Sequence, residues 1–132
     1  MKPYFILILL FSLFSISCEK VDRISKLELF KMAKAVDPSV TYIMPRDLKS
    51  GVRCVGTEGE LYYGEGCTGA FKVQVGVLDL TVLEFSTPEL AKKEAIRIKQ
   101  FYFKNWVFDE VSDEPMLEHF VKKAFNAQKA TP

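Results

Sequence analysis

Apolar positions along this chain follow two periods, and the points where one gives way to the other mark its elements. Leu27, Phe30, Ala33 and Val36 stand at the spacing of a helix stripe. Ser25-Lys26-Leu27-Glu28 in front of them is a capping box, with Ile24 and Leu29 as its hydrophobic staple. The spacing predicts a helix from Lys26, stopped at Asp37-Pro38. Two β-rich runs follow, over 40–44 and 52–55, and the turn residues of PRDLKSG between them predict a hairpin. Residues 71–75 then alternate strictly, and 78–82 do so again with a continuation to Phe85; Gly76 suits the turn between them.

Pro88 disfavours a helical Thr87, so Thr87 is the expected N-cap, with proline at the first helical position. That helix is expected to reach about Lys104 and to bury Leu90, Ala91, Ala95, Ile98, Phe101 and Tyr102, with a strand over 106–111 after it. A last helix follows the cap signals Ser112 and Asp113, with Leu117, Phe120, Val121, Ala124 and Phe125 on one stripe. The tail from Gln128 is expected to fray. The order α-β-β-β-β-α-β-α predicts an α+β fold: a small antiparallel sheet of about five strands with two or three helices packed on one face. Repeats and interdomain linkers are absent, which predicts a single domain over 25–128 with a frayed end at 129–132.

The first residues alter the picture. Met1-Lys2-Pro3 precedes an uncharged run over 4–17, shorter than the about 20 residues that a membrane-crossing helix needs. A basic start, an apolar run and small residues after it form a secretory signal over 1–17. Ser15-Ile16-Ser17-Cys18 resembles the lipobox of bacterial lipoproteins, departing from it in having Ser15 where an aliphatic residue is usual. The resemblance implies diacylglycerol on the Cys18 sulfur, cleavage before it and acylation of the new amino group. Residues 18–24 would then be a lipidated tether holding the domain close to a bacterial membrane. Glu19 lacks the aspartate that signals inner-membrane retention in some lipoproteins, which points to the outer membrane, with the domain in the periplasm or at the cell surface.

Removing residues 1–17 from the 132-residue chain leaves 115, and Lys2 goes with them, so 17 basic side chains face 17 acidic ones. A nucleic-acid partner would be matched by a basic excess, and there is none. Lys92-Lys93 and Lys122-Lys123 belong to the outer faces of their helices. With Cys18 assigned to lipid, Cys54 and Cys67 remain, an even pair that predicts a disulfide in an oxidising compartment.

The segment CVGTEGELYYGEGCTG (54–69) ends in GEGCTG, which satisfies the pattern G-x-G-x-x-G. A dinucleotide site needs a helix after the glycines to hold the pyrophosphate, and here the alternating run AFKVQV follows, so no nucleotide is expected. The glycines are taken as turns of a cysteine-pinned loop. Between the cysteines lie Glu58, Glu60 and Glu65, no basic residue, and the pair Tyr62 and Tyr63. Aromatic side chains on a covalently limited backbone lose little entropy on binding, which makes this loop the candidate contact surface. The favoured reading of 61–63 itself is a short strand, with one tyrosine packed and the other merely exposed. The glutamate spacing matches no calcium loop, and the single histidine, His119, is far from the cysteines, so no metal is expected.

Catalytic signatures are also missing. Neither G-x-S-x-G nor H-E-x-x-H occurs, Ser17-Cys18-Glu19-Lys20 matches S-x-x-K only at the cleavage site, and His119 lies on the edge of the last helix stripe. Asp109, Glu110, Asp113 and Glu114 cluster, two of them as cap or first-turn residues. The expectation is a membrane-anchored lipoprotein with a binding or envelope-structural role, without catalytic residues or cofactor, contacting an envelope protein or a small ligand. A small envelope hydrolase or carbohydrate-active enzyme using carboxylates is the alternative.

Overall fold

The computed structural model of the chain describes residues 22–47 and 51–132. The expected leader and Cys18 lie outside the described residues. Ser25 caps helix α1 (Lys26–Val36): its amide donates to Glu28 Oε2 at 2.8 Å, and the Glu28 amide donates to Ser25 Oγ at 3.2 Å. Strands β1 (Thr41–Ile43), β2 (Cys67–Val75) and β3 (Leu78–Phe85) follow, then helix α2 (Pro88–Ile98), strands β4 (Phe101–Phe103) and β5 (Trp106–Asp109), helix α3 (Pro115–Phe125) and strand β6 (Gln128–Lys129). All pairings are antiparallel, in the order β1-β2-β3-β5-β4-β6. Among the described residues, three helices on a six-stranded antiparallel sheet make this an α+β fold.

The alternating strands are apolar on both sides of the sheet, and the helices divide accordingly. Phe71, Val73 and Val75 of β2, Leu80 and Val82 of β3, and Trp106 and Phe108 of β5 bury one face beneath α1 and α3. Leu83, Phe85 and Val107 bury the other beneath Ala91 and Ala95 of α2. Two helices therefore share one face, as the pattern predicts, and the third covers the reverse. Trp106 is fully buried, edge-on to Phe71 at 5.9 Å, and its Nε1 donates to the Ile24 carbonyl at 3.0 Å. Stacking of Phe108 on Phe125, at 4.9 Å between centroids, joins the central strand to α3.

Five expectations are corrected. Residues 40–44 and 52–55 do not form a hairpin; β1 pairs with β2, Thr41 opposite Gln74, while Val55 makes only an isolated bridge to Leu61. The second helix ends at Ile98, where Lys99 takes the left-handed conformation (φ 58°), and Phe101 and Tyr102 belong to β4. β4 turns into β5 through Lys104 (φ 51°) and the fully buried Asn105, so Phe-Tyr-Phe packs as strand where its spacing had read as helix. The cap of α3 is Glu114, one residue beyond Asp113. The tail does not fray: β6 pairs with β4, and the Ala130 amide donates to the Gln100 carbonyl at 3.1 Å with its side chain buried under α2. Leu27, assigned to the buried stripe of α1, is 63% exposed; Leu29 and Ala33 are the buried positions.

Candidate functional site: a disulfide-pinned loop

Cys54 and Cys67 are joined by a disulfide, with Cα atoms 5.7 Å apart. Cys67 opens β2 opposite Phe85, so the bridge fastens the loop to a strand of the sheet. Inside the loop the Tyr62 amide donates to the Cys54 carbonyl at 3.0 Å and the Gly56 amide to the Glu60 carbonyl at 2.7 Å, closing a miniature hairpin around the bridge between Val55 and Leu61.

The loop's returning limb lies against α2. A side chain at Gly64 would collide with the Glu94 carboxylate, and Gly66, at φ +88°, passes directly over Leu90. Two glycines of the supposed phosphate motif are thus explained by close backbone approach and a left-handed turn. The Gly66 carbonyl accepts from the Ser86 amide at 2.8 Å.

The adjacent tyrosines separate. Tyr63 points inward, and its hydroxyl donates to Asp109 Oδ2 at 2.7 Å, latching the loop to the end of β5. Half-burial, followed by the hydrogen bond and charge of Asp109 and the nearby charges of Glu110 and Glu94, pushes the Tyr63 phenol well above its ordinary value. The other Asp109 oxygen accepts the Glu110 amide at 2.8 Å. Beneath the loop, Glu94 is 4% exposed and is held by Arg97, whose Nε lies 3.1 and 3.0 Å from its two oxygens. That contact raises the Arg97 pKa. The carboxylates of Asp109 and Glu94 are both engaged in holding structure.

Tyr62 points outward, 53% exposed, and stands with Leu61 (72% exposed) and Val55 (43% exposed). Its hydroxyl donates to Glu60 Oε1 at 2.8 Å, which raises the tyrosine pKa; the Glu60 carboxyl is lowered first by its own backbone amide and then by Tyr62. The result is an apolar knob of three side chains on a cross-linked backbone, edged by exposed Glu58 and Glu60. Glu65 is exposed on the returning limb.

Of the residues the sequence singled out, Tyr62, Glu58 and Glu60 come together on the tip and Tyr63 is drawn into the domain. His119 lies on the exposed side of α3. Glu114 caps that helix through the Met116 amide at 3.4 Å. The Glu94–Arg97 pair and the latch at Asp109 were missed. Glu94 lies three residues after Ala91 on the apolar stripe of α2, the signal that could have marked it as buried. No family model, no curated protein and no solved structure matches the chain.

No helix among the described residues is long and apolar enough to cross a membrane.

Proposed function

We propose that the chain is an exported bacterial lipoprotein, anchored by acyl chains on Cys18, whose domain binds an envelope protein or a small ligand without catalysis. The observation that carries this reading is the disulfide-braced knob of Val55, Leu61 and Tyr62. A disulfide fits an oxidising compartment, and exposed apolar and aromatic side chains on a backbone already fixed by cross-link and latch lose little freedom on binding. The signal over 1–17 and the lipobox resemblance support the anchor. Glu19 favours the outer membrane.

The intact mass of protein purified from its native membrane, with and without reduction and alkylation, tests the address. The expected mass starts at acylated Cys18, and Cys54 and Cys67 take up alkyl groups only after reduction. A full-length or unacylated chain would overturn it. For the surface, cross-linking in intact cells should recover one partner that Tyr62→Ala loses and Tyr63→Phe retains. Recovery unchanged by Tyr62→Ala would remove the knob as the contact.

A further inference from the structure

A second exposed face combines apolar and basic side chains on α1 and β1. An open groove of about 370 Å³ is lined by Lys26, Leu27, Phe30 and Tyr42. Leu27 is 63% exposed, and Met44 just beyond β1 is 75% exposed. The Lys26 ammonium lies 4.4 Å from the Tyr42 ring centre and 4.3 Å from that of Phe71, so the cation sits on aromatic faces inside the apolar patch. Lys31 and Lys34 are exposed farther along α1. The helix's one acid, Glu28, is occupied by the Ser25 amide.

The chain's path brings this face to the anchor. Residues 22–25 are fastened to the domain: Asp22 pairs with Lys104 at 3.0 Å, the Ile24 amide donates to Asn105 Oδ1 at 2.9 Å, and the Ile24 carbonyl accepts from Trp106. Cys18 stands four residues before Asp22, a reach of at most about 14 Å at roughly 3.5 Å per residue. α1 begins at Lys26, directly after this fastened segment, and the Lys26 ammonium meets Tyr42 of β1.

We infer that this face lies on an anionic lipid surface, with Leu27, Tyr42 and Met44 at the boundary of headgroups and acyl chains and the lysines among the headgroups. The inference rests on the lipid-anchor reading of Cys18. Apolar side chains with lysines around them suit that boundary. A second copy suits the face less well, because a twofold contact would set Lys26, Lys31 and Lys34 against the same lysines of the other chain.

The test uses the mature protein purified from its native membrane and reconstituted into phosphatidylcholine vesicles, with and without phosphatidylglycerol, carrying bromine on the acyl chains. Leu27→Trp is compared with Val77→Trp, whose position is 87% exposed in the turn between β2 and β3. Trp106 is buried and gives a common background. The expected result is emission from Leu27→Trp that is blue-shifted and quenched several-fold more than from Val77→Trp in the anionic vesicles, with the difference reduced by high salt. Adding Lys31→Gln should lower the ratio of docked to undocked protein about fivefold. If both variants float with the vesicles but are quenched equally, the docking is overturned and the anchor stands. If neither floats, the anchor fails and the docking with it. Equal quenching with concentration-dependent dimerisation would overturn the docking and give the face to a second copy.

Discussion

Replacing both loop cysteines, Cys54→Ser with Cys67→Ser, tests how the pinned loop contributes to the fold. The bridge joins residues 13 apart in sequence, and the chain-entropy cost of closing such a loop in the unfolded state corresponds to about 3 kcal/mol. The native side should change little, because the Tyr63–Asp109 latch, the Ser86 amide to the Gly66 carbonyl, and the contacts of Gly64 and Gly66 with α2 do not depend on sulfur. With a slope of about 1.5 kcal/mol per molar urea, the midpoint should fall by about 2 M. Equilibrium urea unfolding followed by fluorescence of the single tryptophan, buried at Trp106, reads this directly. The far-ultraviolet dichroism of the folded variant should match the parent. A loss under about 1 kcal/mol would refute the reasoning by showing that the unfolded chain is hardly freed, and a variant without native dichroism would refute it by showing that the native packing needs the bridge.

Two further outcomes follow from the latch and the buried turn. Above about pH 10 the unfolded chain gives up the Tyr63 proton while the folded chain keeps it, so the folded state binds more protons and stability falls with rising pH. Unfolding free energies measured between pH 9 and 11, at about unit spacing, should decline more steeply for the parent than for Tyr63→Phe, and equal slopes would discard the latch as the source. Asn105→Ala removes the acceptor of the Ile24 amide and should cost about 1–3 kcal/mol. Hydrogen exchange should show Ile24 protected in the parent and open in the variant, and continued protection would mean that Trp106 alone holds the segment.

Local chemistry was legible in the sequence, and nonlocal pairing was not. The Ser25 box, the Thr87-Pro88 start, the stripe of α3 and the β2–β3 hairpin were each read from residues close together, and each stands in the fold. The cysteine pair was legible because only two thiols remained once Cys18 was set aside. The mistaken hairpin came from assuming that neighbouring strands pair, whereas Thr41 finds Gln74 across the whole loop. β4 was hidden because Phe101 and Tyr102 continue the helical spacing of α2, and the left-handed turn at Lys99 carries no glycine to mark it. In the candidate site, the loop and Tyr62 could be read from composition. The opposite fates of the two tyrosines depend on Asp109, which the fold alone brings near.

The two longest strands, β2 with nine residues and β3 with eight, lie inside the sheet, and its outer strands are only three and two residues long. Each outer strand offers a neighbouring chain only a two- or three-residue ladder, while β1 covers only residues 72–74 of β2. A second copy that met β1 or β6 edge to edge could therefore gain only a few ladder bonds from that strand.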